Sequence, residues 1–248
     1  MAFDQIALFY GVIILLAYIV QAITGFGSTV IALSLGVIWY SLDELLPFLI
    51  FSNILFSSVL VFKHWKSMHS YLTFQVILPG MLLGMVVGYL IKPLLNDDML
   101  KQILGVLIIW VSVLELHRLF KKQPPKIIGT LKRHVLILLA GMSHGVFASG
   151  GPLMVYTISG FKVDKTQFRA TVVVCLFIVN CILTSAFLVD GRLAPVLPFV
   201  IAVVPIIFMA VKIGNHIHGH INEQNFKKGI FILLLISGLN LVVSGHSF

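Results

Sequence analysis

Ser143-His144-Gly145-Val146-Phe147-Ala148-Ser149-Gly150-Gly151-Pro152 interrupts an apolar chain with small and polar residues. A weaker echo stands near the start, Gln21-Ala22-Ile23-Thr24-Gly25-Phe26-Gly27-Ser28. Each lies between two short apolar segments. Backbone groups released from a helix find no water in hydrocarbon, so such breaks persist only inside protein or against a wet cavity. The two breaks are therefore expected to face one another and form a binding site, with the remaining chain as scaffold.

The composition sets the class. Of 248 residues, 59% are apolar and 10% charged, against about 25% charged in a soluble domain. With a mean hydropathy of +1.06, this is an integral membrane chain. The formal charge of +8 sits in short loops between apolar spans, which is a topology signal and excludes a nucleic-acid surface. Phe3–Thr24 lacks a basic lead-in and reads as a retained helix, not a signal peptide. Cys175 and Cys181 share no helix face and suggest neither a disulfide nor a metal site.

Taken in order, the apolar runs are Gln5–Thr24, Ser28–Tyr40, Leu45–Phe62, Tyr71–Ile91 and Met99–Leu116, then Val135–Ala148, Leu153–Gly160, Ala170–Val189, Val196–Ile213 and Phe226–Val243. Residues 1–118 form one transmembrane unit, 119–134 a basic linker with Pro124-Pro125, and 135–248 a second unit. The halves repeat. Pro79 and Pro205, Gly88 and Gly214, Asn96 and Asn222, and Lys101 and Lys227 are 126 residues apart. Asn53 and Asn180 differ by 127, while Gly27 and Gly151, and Gly36 and Gly160, differ by 124.

Five segments per half invert the second half relative to the first. The fold expected is all-α and polytopic, with two inverted repeats, each a broken, re-entrant helical hairpin plus three spanning helices. If 118–134 is cytoplasmic, loops 63–70, 161–169 and 212–228 are cytoplasmic too. The termini, 41–44, 92–98 and 190–192 are then outside. That places 14 of the 17 Lys and Arg inside, leaving Lys92, Lys101 and Arg192 outside, as the positive-inside rule requires. Inverted repeats with broken helices place a transport site near the midplane.

A helix restarts at each break, near Ser28 and Pro152, so free N–H groups and the positive dipole end point into it. Gly25, Gly27, Gly150 and Gly151 let a ligand reach the backbone, and Thr24, Ser28, Thr29 and Ser149 add hydroxyls. The competing reading is close helix packing through small residues. Asn53 and Asn180 are amides inside their spans and serve either as interhelical ties or as pocket lining. His144 is an ionisable group at membrane depth, either a proton relay or a structural ring bonded to a carbonyl. Arg169 is either an interfacial charge or one that dips inward to hold an anion. Glu115 and Arg118 read as a surface pair. His216, His218 and His220 lie in a loop without the Cys or carboxylates of a metal site. No paired intramembrane carboxylates, nucleophile elbow or phosphate loop supports an enzyme.

Gly25-Phe26-Gly27, Ser149-Gly150-Gly151-Pro152, Arg169-Ala170-Thr171, Asn53, Asn180 and the duplication together resemble the TauE/SafE family of sulfite exporter-like permeases. The first break departs from that family's richer Gly-Gly-Gly pattern, with Phe26 between its glycines. The resemblance implies a bacterial cytoplasmic-membrane protein moving small anions such as sulfite or organosulfonates. Together with the inverted repeats, it gives the expectation of a secondary transporter exporting such an anion by alternating access around the paired breaks, without a cofactor. The binding residues expected from the breaks and the buried amides are Thr24, Gly25, Gly27, Ser28, Asn53, Ser149, Gly150, Gly151, Pro152 and Asn180, with His144 and Arg169 as coupling candidates. The partners expected are the anion and membrane lipid, a homodimer being left open. A passive anion channel and a non-transporting membrane partner are the alternatives.

Overall fold

The computed structural model describes residues 2–37, 39–121, 128–158, 161, 163–218 and 223–244. Gly160, Lys162, His220, Asn222 and linker residues 122–127 lie outside the described residues. The first half comprises α1 (Ala2–Thr24), α2 (Ser28–Gly36), α3 (Leu42–His64), α4 (Leu78–Ile91) and α5 (Asp97–Phe120). The second comprises α6 (Thr130–Phe147), α7 (Gly151–Ile158), α8 (Lys165–Val189), α9 (Leu197–His218) and α10 (Glu223–Ser244). Among the described residues, the helical runs Leu42–Ser67, Leu72–Leu94, Asp98–Phe120, Thr166–Val189 and Ala194–Ile217 are long and apolar enough to cross a membrane. Leu83, Leu90, Phe199 and Ile201 lie on the outer surface, where hydrocarbon rather than water suits them.

Helix starts follow local chemistry. Ser41 and Glu44 form a capping box at α3, with Glu44 N donating to Ser41 Oγ at 3.3 Å and Ser41 N to Glu44 Oε2 at 3.1 Å. Asn96 accepts from Met99 N at 2.8 Å at the start of α5, and Asp164 from Gln167 N at 2.8 Å at the start of α8. Such caps satisfy backbone donors that the first turn leaves free. Before α4 the chain winds as a π-helix over Leu72–Ile77. Pro79 follows one residue later, at the start of α4, lacking an N–H and crowding the preceding turn, and the wider winding accommodates it.

Both expected hairpins are present. α2 folds back along α1, with Tyr10 Oη donating to Ala32 O at 3.2 Å and Gly36 against the Tyr10 ring. α7 folds back along α6, bringing Arg133, near the start of α6, over the Phe161 ring just past α7. The returning arms have 9 and 8 residues, about 14 and 12 Å at 1.5 Å per residue. Neither can cross a hydrocarbon layer about 30 Å thick.

The helices pair across the two halves: α4 packs on α6, α9 on α1, α5 on α10 and α3 on α8. The α4–α6 seam is backbone on backbone. A Cβ at Gly84 would lie 2.0 Å from Leu138 O, and one at Gly88, Gly141 or Gly145 would lie 2.2 Å from a carbonyl of the opposite helix. This is the small-residue contact by which helices associate in lipid. Gly214 meets Ala22 in the α9–α1 pair. At one end, Asp43 accepts from Lys92 Nζ at 2.6 Å and from Arg192 Nη2 at 2.6 Å, and Tyr89 donates to Asp190. At the other end, His69 N donates to Thr171 Oγ1 at 2.9 Å.

Two expectations are corrected. Glu115 is buried, not a surface group, and its carboxylate meets Arg118 Nη2 at 2.5 Å. Pairing permits that burial. His216 and His218 belong to α9 and not to a loop, because Ile213, Gly214 and Ile217 carry the apolar helical spacing onward.

Candidate functional site

The hairpin tips meet at the centre of the molecule. In the first tip Gly25 and Gly27 have φ of 89° and 102°, a region open to glycine and strained for most other residues. Thr24 Oγ1 lies 2.8 Å from the carbonyls of Val20 and Phe26 and accepts from Phe26 N at 3.3 Å. Thr24 thus fastens the turn instead of lining the cavity described below. In the second tip Ala148 takes φ 53° and its N donates to His144 O at 2.7 Å. Ser143 Oγ donates to Ser149 O at 3.2 Å, and Gly150 N reaches His144 Nδ1 at 3.5 Å. Phe26 rests on Gly151, where an added Cβ would lie 3.3 Å from Phe26 Cβ.

The tips enclose a cavity of about 10 Å³, room for about one water molecule. The first half contributes Gln21, Gly27, Thr29, Val30 and Asn53 to its wall. From the second half come His144, Ser149, Gly151, Pro152 and Asn180, with Ala148 and Leu176 completing it. Two helix starts flank it. The first helical bonds are Ile31 N to Gly27 O and Met154 N to Gly150 O, both 3.0 Å. The N–H groups ahead of Ile31 and Met154 precede those bonds and have no intrahelical acceptor.

Asn53 is the hub of the polar side. Its Nδ2 donates to Gln21 Oε1 and Ser28 Oγ, each at 2.9 Å. Its Oδ1 accepts from Ser57 Oγ at 2.9 Å, Asn180 Nδ2 at 3.1 Å and Gln21 Nε2 at 3.3 Å. Ser28 Oγ also donates to Gln21 Oε1. The Asn180–Asn53 bond joins α8 of the second half to α3 of the first. His144 occupies the place across from Gln21, about one turn before its own break. Its Nε2 is buried without a hydrogen-bond partner among the described residues. Ser149 Oγ is likewise buried without a protein partner. Among the described lining residues there is no Lys, Arg, Asp or Glu.

The structure thus brings Gly27, Asn53, Ser149, Gly151, Pro152, Asn180 and His144 to one cavity, with Ser28 and Gly150 bonded to its wall. Thr24 and Gly25 stay behind the first tip. Arg169 lies elsewhere: it is 8% exposed, its Nη2 donates to Asn215 Oδ1 at 2.7 Å, and its stem packs on Gly25. Sequence reasoning quoted Gln21 only as part of its stretch and gave it no role. The available signal was an amide side chain just ahead of a glycine break in an otherwise apolar helix.

The family model described as sulfite exporter TauE/SafE matches residues 10–241. That interval takes in both hairpins and both asparagines. The chain is also 27% identical, over 167 residues, to a protein of Comamonas testosteroni named probable inner membrane transporter protein TsaS. The match covers 66% of this chain and 69% of that protein. No solved structure matches. Paired hairpins, a buried polar cavity between them and a family match across nearly the whole chain converge, and the protein is a transmembrane permease of the TauE/SafE family.

Proposed function

We propose that the protein is a secondary transporter that exports a small oxyanion, sulfite or an organosulfonate, across a bacterial inner membrane. The observation that carries this reading is the pair of helix N-termini that close on one cavity. Their N–H groups and dipoles favour an anion, and Asn180 and Ser149, the first braced by Asn53, supply further donors. Sulfite is larger than a water molecule, so binding requires the tips to separate, as alternating access would have them do. The exchange of packing partners, α4 with α6 and α9 with α1, supports two inverted repeats that rock about the tips. The positive-inside count and the meeting of Asp43, Lys92 and Arg192 support an extracytoplasmic face at that end and a cytoplasmic face at the basic end.

The reading is tested by flux in proteoliposomes with sulfite, thiosulfate, sulfoacetate, sulfate and an amino acid. Saturable flux of one sulfur oxyanion is expected. Gly151→Leu, which pushes against Phe26, should reduce that flux at least a hundredfold while the protein still elutes as a folded species. Flux at the wild-type level in this variant would remove the tips from the site. Linear, unsaturable flux would make the protein a channel instead. Absence of flux for every anion would leave a non-transporting role.

Coupling to protons through His144 is a second part of the proposal, favoured by a ring that lines the cavity with Nε2 unpaired. His144→Gln keeps a polar side chain but cannot carry a proton at neutral pH. Its flux should lose the response to an imposed pH gradient. An unchanged response assigns His144 a structural role.

A further inference from the structure

A larger cavity, about 90 Å³, lies between the last turns of α3 and the first turns of α8. Leu60, Val61 and His64 form one wall, and Thr166, Arg169 and Val173 the other. It is separate from the cavity at the asparagines, and the first hairpin tip touches the walls of both. A Cβ at Gly25 would lie 3.3 Å from Arg169 Cγ and 3.4 Å from Val173 Cγ2, whereas Gly27 lines the smaller cavity. Val173 is seven residues before Asn180 on α8, about 10 Å along the axis. The two spaces are therefore neighbours along α8, with the first tip against both.

Arg169 makes the larger cavity chemically distinct. It is more than nine-tenths buried, and its Nε has no hydrogen-bond partner among the described residues. Its Nη2 is engaged by the neutral amide of Asn215, and among the described residues no carboxylate lines the cavity. A guanidinium buried without an anion is costly, and its planar donor fork suits an oxyanion.

We propose that this cavity is a second anion site, in which Arg169 holds the oxyanion between the basic end of the protein and the tip cavity at Asn53 and Asn180. The proposal rests on the transport reading above and adds a separate station to it. The tip residues Thr24–Phe26 then act as the partition between stations, and the anion exchanges a charged partner for neutral donors when it passes them.

The experiment is sulfite binding to purified protein in detergent, read as stoichiometry, together with sulfite flux in proteoliposomes. Wild-type protein should bind two sulfites per chain, and Arg169→Gln one. The flux KM of Arg169→Gln should rise about tenfold or more, as expected for loss of a charge-assisted bond. Arg169→Lys, which keeps the charge, should recover most of that loss. Asn215→Ala removes the amide tie but leaves the guanidinium, and should keep two sites. One sulfite per wild-type chain overturns the second site even if Arg169→Gln fails to fold. So does an unchanged KM in Arg169→Gln, or an equal loss in Asn215→Ala. Wild-type protein that neither binds nor moves sulfite overturns this site and the sulfite reading together. Wild-type flux with single-site binding overturns this inference alone.

Discussion

Asn53→Ala is expected to lower oxyanion flux in proteoliposomes at least a hundredfold, the largest effect of any polar substitution in the protein. Asn53 holds Gln21, Ser28, Ser57 and Asn180 at once. Removing its amide strands donors and acceptors on α1, α2, α3 and α8 in a space too small for more than about one water molecule. Unpaired buried groups of this kind destabilise a protein by about 1–3 kcal/mol, and less where other partners lie within reach in a membrane. We therefore expect a stability loss of about 2 kcal/mol, seen as a lower unfolding temperature in detergent. Asn180→Ala removes one bond of the hub and should destabilise less. Flux within twofold of wild type in Asn53→Ala would show that the hub is only structural glue.

Gly84→Ala should have the largest effect on stability. The added Cβ would sit 2.0 Å from Leu138 O, 2.9 Å from Met142 N and 3.0 Å from Leu138 C, all backbone atoms. No rotamer change relieves such a contact, so α4 and α6 must separate along a seam that three other glycines keep tight. Overpacking of this severity costs about 3 kcal/mol. The expected result is a collapse of thermal stability, or failure to recover folded protein. Gly129→Ala is the control, since no described residue lies within 4 Å of its added Cβ. Equal melting temperatures for both variants would refute the close α4–α6 contact.

The sequence made the two breaks legible because glycine, hydroxyl and proline clusters are rare in so apolar a chain. The short arm after the second break also announced a hairpin, since so few residues cannot cross a bilayer. Lateral packing was less legible. A helix apolar on nearly every face carries little amphipathic signal about its neighbours. That is why the Asn53–Asn180 bond, the contact of Arg169 with Gly25 and the burial of Glu115 emerge only from the structure. Equivalent repeat positions brought Asn53 and Asn180 to notice, while Gln21 escaped because the second break, Ser143–Pro152, carries no matching amide. The extent of α9 was missed for a different reason. Its alternating histidines look like a loop motif, whereas the apolar residues between them sustain the helix through His218.

The uncharged wall of the tip cavity has an electrical consequence. None of its described residues is a Lys, Arg, Asp or Glu, so with His144 neutral the wall offers no fixed charge to cancel that of a passenger. An anion moved through it would carry its own charge across the membrane field. One elementary charge crossing 100 mV changes free energy by about 2.3 kcal/mol, and a negative interior drives anions outward. In a cycle in which His144 carries no proton, such a protein would need no co-transported ion to favour export. The resting voltage would supply the bias, and a divalent oxyanion would feel twice as much of it as a monovalent one.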